Sequence, residues 1–238
     1  MSSLMPLVQA QHLPRWRRPE ALLYLMAAAM PLSFATWSAL LNNFVIEVAA
    51  FTGKEIGWLH TVREIPGLLA VVVIAILLAV REQVLALLML ALLGAATMFT
   101  GWFTSFSGLL VMTLLSSIGF HYFETVNQSL QLQWIDKARA PIVLGRIVAV
   151  GAGASLAAYG AIVALWDSLG LDYNTVYMAS GGLTIAIVIF AAIAYPQFQS
   201  PHVQHKHMVL RKRYWLYYAL QFMAGARRQI FVVFAGFM

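Results

Sequence analysis

Residues 84–103 read VLALLMLALLGAATMFTGWF, twenty positions without a charged side chain. The hydrocarbon core of a bilayer is about 30 Å thick, and a helix rising about 1.5 Å per residue crosses it in roughly 20 residues. This stretch is therefore read as a membrane span. Working outward, 57–80 and 108–134 flank it as further apolar runs, and 21–48, 142–166, 176–195 and 214–238 complete a set of seven. The chain is 61% hydrophobic and 10% charged over 238 residues. A soluble domain of that size would expose far more polar surface. The predicted fold class is all-α, a polytopic membrane helix bundle whose partner is the lipid bilayer.

The sequence contains no cysteine, which excludes disulfides, thiolate catalysis and cysteine-ligated metals. The formal charge of +6 does not point to nucleic acid, because the Lys and Arg residues lie scattered in loops between apolar runs and form no continuous basic face. Arg15, Arg17 and Arg18, an apolar run and then Ala27-Ala28-Ala29 imitate a secretory signal. Hydrophobicity continues well past the alanines, so the reading is an uncleaved first span.

Charge asymmetry predicts the orientation. Arg15, Arg17, Arg18, Arg81, Lys137, Arg139, Arg146, Lys206, Arg211, Lys212 and Arg213 all fall on one side of the seven spans, while the other side holds Lys54 beside Glu55, with Asp167 and Asp172. Eleven basic residues against one place the N-terminus in the cytoplasm by the positive-inside rule. The expected location is the plasma (cell inner) membrane, multi-pass. Residues 1–20 form a cytoplasmic N-terminal tail, 21–195 a six-helix transmembrane bundle, 196–212 a cytoplasmic linker, and 213–238 the first helix of a second, incomplete bundle.

Six spans, a cytoplasmic N-terminus, the linker PQFQSPHVQHKHMVLRKR at 196–213 and a seventh span resemble the major facilitator superfamily. Arg81 stands where that family carries its basic residues between the second and third helices, while Ala75 and Ala79 replace its Gly and Asp. The helix 5 motif of drug antiporters is incomplete, since Gly151, Gly153, Ser155 and Gly160 supply small residues but no proline, so drug antiport is not inferred. Laying Leu41–Phe51 over Arg227–Phe237, as a repeat of halves would require, matches Ala49 with Ala235 and Phe51 with Phe237. The resemblance implies two six-helix halves, of which this chain holds the first plus one helix, with about five more to follow. It also implies that the first, fourth and seventh helices line a central pathway.

Ionisable groups inside a span cost about 2.5 kcal/mol or more unless paired or hydrated, which makes them the candidates for function. Ser117, His121, Glu124, Gln128 and Gln131 in the fourth span are spaced four, three, four and three apart and form one stripe, flanked by Thr125 and Asn127. Lipid cannot satisfy such a stripe, so it faces other helices or a watery cavity. It is either a polar seam or a substrate path. His121 and Glu124 are close enough along the helix to touch, and either suits proton coupling. Arg227-Arg228-Gln229 interrupts the seventh span about 20 Å from its cytoplasmic start, a depth comparable with Glu124, and is the choice for binding an anionic solute. Asn42, Asn43, Glu47, Arg63 and Glu64 predict a charge cluster in the outer half of the first two spans, read as a hairpin clamp or a gate, with Asn43 counted among the substrate residues. Glycines 145, 151, 153, 160, 181 and 182 are expected to let helices pack closely. His202, His205 and His207 have no acidic neighbour and are not assigned a metal, and no cofactor is implied.

The leading expectation is thus a secondary transporter moving a small, anionic solute by alternating access with proton coupling. A retinal-type receptor lacks its lysine in 213–238, and an intramembrane enzyme lacks an HExxH motif, leaving these as alternatives of another class.

Overall fold

The computed structural model describes residues 4–199, 211–220 and 223. The chain divides into two compact units, 1–203 and 204–238. In the first, strand β1 (Met5–Pro6) and helix α1 (Leu7–Ala10) precede the bundle. Helices α2 (Pro19–Glu47), α3 (Gly53–Leu68), α4 (Val72–Leu77), α5 (Glu82–Thr100), α6 (Phe106–Trp134), α7 (Ala140–Leu165) and α8 (Tyr173–Ala194) follow, then strand β2 (Phe198–Gln199). In the second unit a 3₁₀ turn at Lys212–Tyr214 leads into a helical run through residue 220.

Local chemistry sets the boundaries. Pro19 opens α2 at a position where its missing N–H costs nothing. Thr52 and Glu55 form a capping box at the start of α3. Ser105 accepts the backbone N–H of Gly108 at 3.2 Å, and Asp172 that of Thr175 at 2.8 Å, so α6 and α8 each begin on a polar cap. Tyr195 precedes Pro196 in extended conformation, which ends α8.

Five of these helices, α2, α5, α6, α7 and α8, are long and apolar enough to cross a bilayer. The chain is a multi-pass membrane protein. The expected single span 57–80 is not a single helix: it breaks after Leu68 and resumes as the short α4. The cause is local. Pro66 cannot donate to Val62, and beyond Gly67 the backbone turns through Ala70→Gly67, Val72→Leu69 and Val73→Ala70 bonds in place of the i−4 ladder.

Helix α5 lies between α6 and α8 and also meets α2; α3 leans on α6, and α7 leans on α2. The α5–α6 contact depends on Gly119, where a Cβ would meet the Leu93 nitrogen at 2.7 Å. The α5–α8 contact sets Gly94 against Gly181. The glycines expected to mediate packing in α7 do not: Gly145, Gly153 and Gly160 meet nothing within 4 Å, as does Gly182 in α8. Helix α7 touches the bundle along one narrow side and buries only Val143 and Ile147, so most of its small residues face outward. Gly151 is the exception, facing the Ala27 carbonyl that Pro31 leaves without its helical donor. Between α2 and α8 a buried hydroxyl pair forms a polar seam: Ser33 donates to Thr184 at 2.8 Å, and the single Thr184 hydroxyl proton lies within reach of the Ser180 and Ala29 carbonyls.

The end of the bundle where α2 begins and α8 ends is closed by the N-terminal segment. Met5 and Pro6 pair in parallel with Phe198 and Gln199. The Gln83 amide, almost fully buried, donates to the Pro196 carbonyl at 2.9 Å and accepts from the Phe198 N–H at 2.9 Å. Arg17 donates to the Ala194 carbonyl at 2.7 Å, capping the C-terminus of α8 with a cation where its dipole favours one.

Candidate functional site

The polar stripe of α6 is a continuous surface whose cover changes along its length. Ser117 is buried, and its hydroxyl donates to the Arg63 carbonyl of α3. One turn on, the half-buried His121 imidazole packs against Gly67, where a Cβ would sit 3.0 Å from the ring. A larger residue at 67 would press the ring back by a few tenths of an ångström. The Tyr122 hydroxyl then reaches the Leu69 carbonyl at 3.4 Å, within the break. Beyond the break α4 contacts α6 only slightly, and the stripe opens: Glu124 is half-buried, Thr125 and Gln128 are exposed, and Gln131 is half-buried. The break in α3–α4 therefore leaves the second half of the stripe less covered by α3 and α4 than the first, which is packed against α3.

Asn127 sits beside this face and is buried, and its side-chain carbonyl oxygen has no hydrogen-bond partner among the described residues. Leaving such an acceptor unpaired costs about 1–3 kcal/mol, which a ligand or a water would offset.

The outer charge cluster differs from expectation. Arg63 pairs with its neighbour Glu64, its Nε and Nη2 each 3.0 Å from the same carboxylate oxygen. Glu47 is not joined to Arg63; it accepts the Tyr173 hydroxyl of α8 at 2.7 Å. Helix α3 packs chiefly against α6, and the two charges turn to different neighbours. Asn43 is exposed on α2. Arg227 and Arg228 lie outside the described residues, as do His202, His205 and His207.

One cluster was not anticipated. Ser129 donates to one Glu82 carboxylate oxygen at 2.8 Å and Gln133 to the other at 2.7 Å, tying the start of α5 to the end of α6. The four-residue spacing of Ser129 and Gln133 was a visible signal. Their partner, 47 and 51 residues away, was not.

The fold and this face define the class: a multi-pass α-helical membrane protein with a hydrophilic stripe from Ser117 to Gln131 on one long helix. No protein-family model, no curated protein and no solved structure matches the chain.

Proposed function

We propose that this protein is a secondary carrier of major-facilitator type, moving a small anionic solute by alternating access with proton coupling. It would lie in the plasma (cell inner) membrane with its N-terminus cytoplasmic, as the distribution of basic residues supports. The observation that carries the reading is the α6 stripe, covered by α3 as far as His121 and accessible from Glu124 to Gln128. A helix buried for stability alone has no use for an open run of Glu, Thr and Gln at membrane depth. In this reading Glu124 and His121 carry the proton. Asn127, Gln128 and Gln131 contact the solute, and Arg227 and Arg228 supply the positive charge for its anion.

The test uses full-length protein in liposomes loaded with a pH-sensitive dye and offered a panel of small carboxylates and inorganic phosphate. Wild type is expected to acidify the lumen with one or more of them. Glu124→Gln is expected to abolish proton movement, and Arg227→Ala to weaken solute uptake. Uptake unchanged in both variants removes the assignment.

A further inference from the structure

At the end of the bundle closed by the N-terminal segment, residues 7–24 and 134–146 enclose a cavity of about 1040 Å³. Four arginines line it, Arg15, Arg18, Arg139 and Arg146, against two carboxylates, Glu20 and Asp136. The carboxylates are already engaged. Arg139 holds Glu20 through two bonds, at 2.8 and 3.2 Å, and Asp136 accepts the Ala138 N–H at 2.8 Å. Arg18 is fixed in place by the Leu13 and Gln11 carbonyls, at 3.0 and 2.9 Å. Arg15 and Arg146 make no hydrogen bond or ion pair among the described residues. The cavity therefore presents two uncommitted guanidiniums and a positive excess. Planar guanidiniums bind phosphate oxygens in pairs.

The surroundings are amphiphilic. Leu7, Ala21, Tyr24 and Trp134 give the cavity apolar walls. Val8 and Trp16 line it too, and are 75% and 55% exposed. On α7, Ile142 lies one turn before Arg146 and is 62% exposed. An exposed tryptophan and aliphatic side chains next to free arginines are the composition of a headgroup-level surface.

We propose that this cavity is a binding site for a phosphate group, held by Arg15 and Arg146, beside the Arg139–Glu20 pair. The ligand is a phosphate-bearing molecule, from either an anionic phospholipid or the aqueous phase. The site is independent of the α6 stripe and stands whether or not the protein transports.

Full-length protein in neutral detergent is titrated with phosphatidylglycerol, with phosphatidylcholine and with inorganic phosphate, reading thermal unfolding. The same titrations are made on Arg15→Gln/Arg146→Gln and on Arg146→Lys. Phosphatidylglycerol alone raising the midpoint in wild type, with the double variant's apparent affinity lower by about tenfold or more, supports the site and names a lipid. The same loss seen with inorganic phosphate supports the site and names a soluble ligand. Arg146→Lys is expected to fall between. Neither arginine has a partner among the described residues, so the double variant should melt like wild type in phosphatidylcholine. If it does not, Arg146→Gln alone is titrated under the same criterion. No response in wild type, or equal responses in wild type and variants, overturns the proposal.

Discussion

Gly119→Ala probes the tightest place in the bundle. A methyl there would meet the Leu93 nitrogen at 2.7 Å, the Met89 carbonyl oxygen at 2.8 Å and Leu93 Cα at 3.0 Å, where ordinary contact begins at 3.4 Å. All three atoms belong to the α5 backbone, which cannot rotate away as a side chain can. Reaching 3.4 Å from 2.7 Å moves α5 by about 0.7 Å along the extensive α5–α6 contact. Such overpacking costs about 1–3 kcal/mol. Alanine's better helix propensity returns about 1 kcal/mol. With rigid backbone as the obstacle, the expected net loss is about 2 kcal/mol, a fall in unfolding midpoint of about 4–8 °C at this size. Gly153→Ala on α7 meets nothing within 4 Å and keeps only the propensity gain, so its midpoint should hold or rise. Both are read by thermal unfolding of purified protein in detergent, following tryptophan fluorescence. If Gly119→Ala melts at or above Gly153→Ala, the packing argument is wrong.

Gln83→Leu should free the N-terminal segment, because it strands the Pro196 carbonyl and the Phe198 N–H in a buried setting, at about 1–3 kcal/mol each. Hydrogen exchange at Met5 and Phe198 should then quicken by about tenfold or more, and unchanged exchange would show that the β1–β2 pair stands without Gln83. At the start of α8, Thr175 side-chain and backbone bonds hold the Asp172 carboxyl below its ordinary range. Its folded value is thus lower than its unfolded one. The cap's contribution is full above the ordinary carboxylate range and fades as pH falls through the depressed folded value. Exchange at Thr175 and Val176 should accelerate only at that acidic end, and Asp172→Asn should remove the pH step; a step that survives in Asp172→Asn belongs to another group.

Hydropathy located five of the helices to within a few residues, as 84–103 against Glu82–Thr100 shows, because a long uncharged run admits one structure in lipid. It failed at 57–80, where Pro66-Gly67 was visible in the sequence but hydropathy alone does not register a missing donor. The α6 stripe was legible from spacing, since a 3.6-residue period puts Ser117, His121, Glu124 and Gln128 on one side of any helix. That α3 would cover only its first half depends on where the break falls. Pairings at long separation were not legible: Glu47 finds Tyr173, Glu82 finds Ser129 and Gln133, and Met5 finds Phe198. Which glycines touch was equally hidden, since that follows from which side of α7 meets α2.

The central claim is that the α6 face from Glu124 to Gln128 is wetted in the membrane. The sequence has no cysteine, so single substitutions report cleanly. Glu124→Cys, Gln128→Cys and, as a lipid-facing reference, Leu183→Cys at mid-α8 are expressed in intact membranes and challenged with a charged, membrane-impermeant thiol reagent. Only a thiolate in water reacts. Labelling of the two α6 cysteines with Leu183→Cys silent is the predicted result; α6 cysteines as unreactive as Leu183→Cys would contradict it.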